Sequence, residues 1–168
     1  MPRPFDISSD SAAGVLQIHS AFADRSYWLA RLAVYGGDSI VLDALDVDPD
    51  ATVRVVTTQD MRHDVLPGPL AKVFPGDLLV RREEIWRRTG DGRVCGDVHI
   101  TATGAPLIGR GPATLAAIAD GSRLRFTGTV EVKIPLIGGQ VEKYICGQVC
   151  EEIPGVNRFT ADWIARHG

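Results

Sequence analysis

One segment of the chain places charged side chains among apolar ones at the alternating spacing of a β-strand. Arg82 and Glu84 share a face with Leu78, Val80 and Trp86, because residues two apart along a strand point to the same side. If this face lines the interior, the two opposite charges must pair, since an unpaired buried charge is costly. Such a pair could orient the polar end of a bound molecule. A twist or bulge that directs both side chains to water is the alternative.

Few other residues have a spacing that indicates chemistry. The sequence contains neither a Gly-x-Ser-x-Gly nucleophile elbow nor a His-Glu-x-x-His zinc motif. The segment Gly109-Arg110-Gly111 begins like a dinucleotide-binding loop, but Pro112 follows it directly. Hydrolase and dinucleotide-dependent functions are therefore disfavoured. We assign no catalytic residue, and the candidates for an acid–base role are Arg82, Glu84, Gln59 and His63.

The cysteine spacing favours packing over metal binding. Cys146 and Cys150 lie four residues apart, close enough to share one face of a helix, but a structural zinc ion needs four ligands. We therefore interpret both as buried thiols that pack a helix. The chain has 3 cysteines, an odd number that suits a reducing compartment. We expect no metal, no cofactor and no disulfide.

Composition and charge indicate one globular domain over residues 1–168. Hydrophobic residues make up 45% of the chain and charged residues 23%, which is typical of a chain that folds on its own. The net charge of -3 lacks the basic excess that phosphate binding needs. The segment from Met1 to Asp6 does not begin a long apolar stretch. We expect a cytoplasmic protein with no nucleic-acid partner and no stable membrane insertion.

Two hydrophobic periodicities predict the elements that position these residues. Helical spacing predicts two short helices between a first strand at 5–8 and Gly36, with Ser9, Asp10 or Ser11 as the N-cap of the first. A period of two predicts further strands at 39–47, 53–61, 78–88, 93–102, 112–118 and 122–134. Turn residues separate several of these strands, so the predicted sheet is antiparallel.

The last of these strands alternates most clearly. Its apolar residues are Leu124, Phe126, Gly128, Val130, Val132 and Ile134, and its polar residues are Arg123, Arg125, Thr127, Thr129, Glu131 and Lys133. We expect the first set to face the interior and the second to face water.

A long helix is predicted to follow Gly138 and Gly139. It carries an apolar stripe made of Val141, Ile145, Val149, Val156, Phe159 and Trp163. Roughly 25 residues would give a rod of about 38 Å, long enough to cross the sheet, which would then curl around it. Proline lacks an amide and clashes with the preceding turn, so Pro154 and Gly155 are expected to kink or split this helix.

The predicted elements are, in order, a strand, two short helices, a run of antiparallel strands and a long terminal helix. This is the order of the helix-grip fold. The chain resembles the START-like superfamily (SRPBCC, polyketide cyclase and pollen-allergen type). Within it, the chain resembles an uncharacterised actinobacterial family. The segments that carry this resemblance are Ala21-Phe22-Ala23-Asp24, 27–32, Phe74-Pro75-Gly76, 125–133 and Gly138-Gly139. The resemblance implies an α+β fold with a deep cavity between sheet and helix, which different members use for lipids, sterols, polyketides or hormones.

On this basis we expect the chain to bind or carry an apolar or amphipathic small molecule, lipid-like or polyketide-like. The residues expected to line the site are Trp86, Val98, Ile100, Phe126, Val130, Val149 and Phe159, with Arg82 and Glu84 as its polar members. Small residues on the inward sheet face, Gly96, Ala102 and Gly128, are expected to leave a void beneath the helix. Substitution of Gly128 by Leu would then fill that void and abolish ligand binding, whereas overpacking would cost about 1–3 kcal/mol if little space exists there.

Two other functions remain open. The first is a cyclase or aromatase enzyme that uses polar cavity residues, and the second is a protein interaction module whose core side chains fill the cavity. Two apolar loops, 66–76 and 135–139, are candidates for the rim of a cavity mouth or for a homodimer contact, and simple local packing is the alternative.

Overall fold

An antiparallel sheet and a long C-terminal helix form the two layers of the fold, as the α+β prediction requires. The computed structural model describes residues 2–61, 72 and 76–167. The strands are β1 (Arg3–Ser11), β2 (Ile40–Val47), β3 (Val53–Asp60), β4 (Leu79–Arg88), β5 (Val94–Thr103), β6 (Leu107–Ile118) and β7 (Gly121–Val132). The helices are α1 (Val15–Phe22), α2 (Arg25–Tyr35) and α3 (Gly138–His167), with a 3₁₀ turn at Gly37–Ser39.

The strands follow one another as hairpins, except for the first. Their order across the curved sheet is β1-β7-β6-β5-β4-β3-β2, and every neighbouring pair is antiparallel. Strand β1 lies at one edge of the sheet and pairs with β7. Helices α1 and α2 connect β1 to β2. The predicted antiparallel sheet is confirmed.

The predicted register of β7 is also confirmed. Leu124 is half-buried, and the residues that are fully buried on the same face are Phe126, Val130 and Val132. On the opposite face Arg125 is exposed, and Glu131 is half-buried with 29% of its side chain exposed. The alternation therefore separates a core face from an outer face along this strand.

The start of α1 differs from the prediction. The three expected capping residues, Ser9, Asp10 and Ser11, belong to β1, where they pair with β7. Instead Gly14 is the N-cap, and the side-chain oxygen of Gln17 accepts a hydrogen bond from its amide at 2.8 Å. Ser11 does accept a hydrogen bond from a backbone amide, that of Ala13 at 3.1 Å, but it does so at the end of β1 and not at the helix start.

Helix α3 runs without interruption through Pro154, so the expected split does not occur. Its 30 residues correspond to a length of about 45 Å. Proline removes one intrahelical hydrogen bond, whereas α3 packs along both β1 and β7. This packing outweighs the local defect. No helix in the described part of the chain combines the length and hydropathy needed to cross a membrane.

Strand β6 begins at Leu107, five residues before the predicted start. Gly111 and Pro112 pair with β5 but have no partner on β7 within the described sheet. Proline has no amide to donate, and a Cβ atom at Gly111 would overlap the carbonyl oxygen of Thr127. Glycine and proline often interrupt strands, yet β6 continues through both of these residues.

Aromatic rings fill one part of the space between the layers. We call Phe22, Tyr27, Trp28, Trp86 and Trp163 the aromatic cluster. Its ring centroids lie 4.9 Å apart for Phe22 and Trp86 and 5.4 Å apart for Tyr27 and Trp163. The indole of Trp28 donates to the Phe22 carbonyl at 2.7 Å, so this buried polar group is satisfied. The cluster joins α1, α2 and α3 to the sheet.

Candidate functional site

Two adjoining cavities lie between the sheet and the helices. The inner cavity has a volume of about 30 Å³, and Phe22, Trp86 and Phe126 are among its apolar lining residues. The outer cavity has a volume of about 170 Å³ and reaches the surface beside the exposed Glu152. The residues that line both are Arg31, Arg82, Glu84 and Val156. Three charged side chains therefore stand where the two cavities meet.

Glu84 is the central member of this charged group. It is only 2% exposed, and each carboxylate oxygen accepts one hydrogen bond. The Nε of Arg82 donates to one oxygen at 3.0 Å, and the indole Nε1 of Trp86 donates to the other at 3.2 Å. Arg82 and Glu84 thus face the cavities, and the alternative in which both point to water is wrong.

Arg31 is the third charged member, and the sequence interpretation missed it. The residue lies on α2, where its guanidinium stacks 4.6 Å from the ring centroid of Trp28 and donates to the Tyr27 hydroxyl at 3.4 Å. A signal was present in the sequence, because Arg31 follows Trp28 by three residues and precedes Tyr35 by four. This spacing places it on the buried face of α2.

The surroundings of Glu84 and Arg31 favour the charged form of both side chains. Burial alone would raise the pKa of the Glu84 carboxyl, but the charges of Arg82 and Arg31 and the indole hydrogen bond hold the pKa below its usual value. Burial alone would lower the pKa of Arg31, but Tyr27 and Glu84 keep the pKa above its usual value. The wall between the cavities therefore carries two positive charges and one negative charge.

Neutral polar side chains complete the outer cavity. Thr57 is buried and Gln59 is half-buried, and both lie on β3 with their side chains in the cavity wall. Three of the four acid–base candidates, Gln59, Arg82 and Glu84, thus come together there. The fourth, His63, lies outside the described residues. Since Glu84 is ionised, it cannot donate a proton at neutral pH.

The structure brings together some of the expected lining residues. Trp86, Val98 and Phe126 line the inner cavity, and Ile100 lines the outer one. These four lie on three strands, β4, β5 and β7. Together with Arg82 and Glu84, they form part of the sheet-side wall of the two cavities.

The other three expected residues pack elsewhere. Val130 belongs to a separate apolar cluster with Leu78 and Val141, beyond the two cavities. Val149 packs against the main core from α3. The Phe159 ring lies 6.2 Å from the Tyr27 ring and thereby joins α3 to α2. Helical and strand periodicity identified their buried faces, but periodicity does not show which part of a face borders a cavity.

The expected void beneath the glycines is absent from the described structure. The Trp86 ring covers Gly96, where a Cβ atom would lie 2.6 Å from the indole. A Cβ atom at Gly128 would overlap the backbone carbonyl oxygen of Arg110 and would lie 2.8 Å from the Phe5 ring. The expectation that Gly128→Leu fills free space is therefore wrong. The rings of Trp86 and Phe5 thus lie in the space next to the two glycines.

The cysteines have free thiols and modest roles in packing. Cys146 is buried, and burial raises the pKa of its thiol, while Cys95 and Cys150 are half-buried. Among the described residues, no group of three or more His, Cys, Asp or Glu side chains could hold a metal ion.

The apolar loop between β7 and α3 does not border either cavity among the described residues. Its Leu136 is fully exposed, and the loop lines a shallow depression together with Arg3 and Glu142. A homodimer contact through this loop stays a prediction. The second loop, 66–76, lies outside the described residues except for Lys72 and Gly76.

Comparison with known proteins identifies the family. The model of a family described as "Protein of unknown function (DUF2505)" matches residues 6–164. The chain belongs to this family. Two mycobacterial proteins, uncharacterized protein Rv0481c of Mycobacterium tuberculosis and uncharacterized protein Mb0491c of Mycobacterium bovis, are each 37% identical to it over 173 residues. The alignments cover 99% of both chains, and they confirm the resemblance to an actinobacterial family.

Solved structures confirm the fold. The protein TTHA0849 from Thermus thermophilus matches with a TM-score of 0.60 at 15% identity over 99% of both chains. Ara h 8.0201 matches with a TM-score of 0.54 at 12% identity over 99% of both chains. Human STARD10 matches with a TM-score of 0.58 at 10% identity, over 96% of this chain and 65% of that one. The chain therefore has the START-like helix-grip fold.

Proposed function

We propose that this protein binds a small apolar or amphipathic molecule in the outer cavity. The observation that carries the proposal is an unfilled cavity of about 170 Å³ whose inner wall holds a buried, hydrogen-bonded charged group. Ligand sites commonly combine an apolar surface with a few placed polar groups that fix orientation. The apolar part of the ligand lies along Val80, Ile100 and Val156, and its polar end lies at Arg31, Arg82 and Glu84. The helix-grip fold supports the same placement, between sheet and terminal helix.

The charged group also supports the proposal on energetic grounds. Removing charges from water is expensive, and well-packed apolar residues often stabilise a core as well as a buried ion pair does. A role in orienting a ligand gives these three residues a reason to occupy the interior. We include a cytoplasmic location in the proposal, since the chain carries free thiols.

The two other functions have less support. An acid–base enzyme needs a group that gains and loses a proton, whereas Glu84 is paired, hydrogen-bonded and held in its ionised form. An interaction module with a filled core does not fit the outer cavity, which its lining side chains leave open.

The test compares two variants that carry the same substitution at different places on the helices. Val156 lines both cavities, whereas Val34 on α2 is 63% exposed. We expect wild type and Val34→Phe to bind small apolar compounds such as toluene, indole or cyclohexanol in ligand-observed NMR. Val156→Phe fills the cavity and should lose this binding while it stays folded. Equal binding by both variants, or no binding by wild type, would reject the proposal.

A further inference from the structure

We propose that the ligand carries a carboxylate on an apolar body about the size of one ring, and that Arg82 and Arg31 bind this carboxylate. The inference rests on the proposed function and specifies its ligand class. Three observations carry it: the balance of charge in the cavity wall, the unused hydrogen-bond donors of the two arginines, and the volume of the cavity.

The charge balance favours an anion. Arg31 and Arg82 both border the outer cavity, and the one buried carboxylate between them, among the described residues, is that of Glu84. Glu152 also lines the cavity, and its charge is the smallest of the causes that raise the pKa of Arg31, but its side chain lies at the exposed mouth, where water weakens that charge. A carboxylate on the ligand would therefore add a second buried negative charge and offset the two positive charges of the arginines. A neutral ligand would leave one positive charge without a buried partner.

The donors of the arginines are available to such a group. Arg82 uses its Nε for Glu84, and its two terminal nitrogens donate to no other described residue. Arg31 uses one terminal nitrogen for Tyr27 across 3.4 Å, and its remaining N–H groups likewise find no acceptor in the described part of the chain. A planar guanidinium presents paired N–H groups that match the two oxygens of a carboxylate. Both arginines are held in place, one by Glu84 and the other by stacking on Trp28.

The cavity volume limits the size of the ligand. An engineered apolar cavity of about 150 Å³ accepts benzene, whereas drug-sized ligands occupy roughly 300–1,000 Å³. The outer cavity, at about 170 Å³, is close in volume to the cavity that accepts benzene. A single aromatic ring or a short branched chain fits, while a sterol or a two-chain lipid would require the helices to move away from the sheet.

Three compounds of similar size test the inference on the wild-type chain. Benzoate carries the carboxylate, benzamide replaces it with a neutral amide, and toluene has no polar group. Ligand-observed NMR up to millimolar concentrations should show benzoate binding at least about tenfold more tightly than benzamide, as expected for one hydrogen bond between charged groups. Similar affinities for benzoate and benzamide would overturn the inference but leave the proposed function standing. No binding of any of the three would overturn both.

Two neighbouring arginines provide a matched pair of variants. Arg82 lines the cavity, whereas the side chain of Arg81 points to the other face of β4 and is 48% exposed. Arg82→Gln should lose the preference for benzoate over benzamide, and Arg81→Gln should keep it. An unchanged preference in folded Arg82→Gln would contradict the proposed role.

A third variant predicts a change in the opposite direction. Glu84→Gln removes the negative charge but keeps an oxygen that can accept from Trp86. Arg82 then lacks its ion-pair partner and Arg31 loses the charge of Glu84, so benzoate should bind several-fold more tightly than to wild type. This variant and the wild-type comparison remain decisive if Arg82→Gln fails to fold. Weaker binding of benzoate to folded Glu84→Gln would count against the inference.

Discussion

The aromatic cluster and the outer cavity occupy neighbouring parts of the same space, yet the first is filled and the second is open. In the cluster, Tyr27 and Trp28 are 0% and 1% exposed, and their rings lie 5.4 Å apart. In the outer cavity, Arg31 and Arg82 border about 170 Å³ of unfilled space. Rings pack to the density of an organic crystal, whereas charged groups must keep partners around them. In this interior, the unfilled space therefore lies beside charged residues and not beside small ones.

The largest effect should come from breaking the charged group. Arg82→Gln removes the ion-pair partner of a carboxylate that is 2% exposed, and should lower the free energy of unfolding by about 2–3 kcal/mol. The cost lies below the usual range of roughly 3–5 kcal/mol because the charge of Arg31 still acts on Glu84. Urea unfolding followed by circular dichroism measures this difference.

The control for this prediction is Arg81→Gln, which should change stability by less than about 0.5 kcal/mol because its side chain is 48% exposed. The double variant Arg82→Gln with Glu84→Gln should recover most of the loss, because no uncompensated carboxylate remains. A double variant as unstable as Arg82→Gln alone would show that Arg82 acts through packing and not through charge.

A smaller effect should separate filled positions from open ones. Gly128→Ala introduces a Cβ atom that overlaps the carbonyl oxygen of Arg110 and lies 2.8 Å from the Phe5 ring, and should cost about 1–3 kcal/mol. Gly147→Ala on α3 meets nothing within 4 Å and should stabilise the protein by about 0.5–1 kcal/mol, since Ala favours helix. Thermal unfolding of both variants measures the difference. Equal midpoints would mean that the space over Gly128 is not filled.

The smallest effect concerns His19, which supports the filled region from α1. It is 2% exposed, and its ring nitrogens lie 3.3 Å from the Trp86 carbonyl oxygen and 3.4 Å from the Nε of Arg88. Burial is the main cause that lowers its pKa below the usual 6.5, and the charge of Arg88 adds to it. Below about pH 6.5 the unfolded chain therefore binds more protons than the folded one. Stability should fall as pH decreases from about 7 towards the lowered pKa.

The variant His19→Gln isolates this effect, since an amide can still donate to the Trp86 carbonyl. Its stability should depend less on pH between about 5 and 7 than that of wild type, as measured by urea unfolding at each pH. The same pH dependence in both chains would assign the effect to other groups.

Much of the fold was predictable from local patterns. The alternation in β7 depends on residues two apart, so its buried and exposed faces could be inferred from one strand alone. The true start of β6 could not, because proline is common at the first residue of a strand, whereas pairing with β5 extends the strand back beyond Pro112. The continuity of α3 through Pro154 likewise depends on packing against distant strands.

The candidate site was predictable only in part, for the same reason. The pairing of Arg82 with Glu84 follows from their separation of two residues on one strand. Arg31 joins them from α2, much earlier in the chain, and no local pattern connects the two segments. The filling of Gly96 by Trp86 and of Gly128 by Phe5 also depends on contacts between strands, which the spacing within one strand does not contain.

The most direct test of the account is the position of a bound ligand relative to methyl groups. Benzoate should give intermolecular nuclear Overhauser effects to the methyl groups of Val80, Ile100 and Val156, which line the outer cavity. Ile108 is 44% exposed on β6 and lines neither cavity, so it serves as a control among the described residues. Effects confined to the three cavity residues are the predicted result. Effects to Ile108 without any to those three would contradict the account.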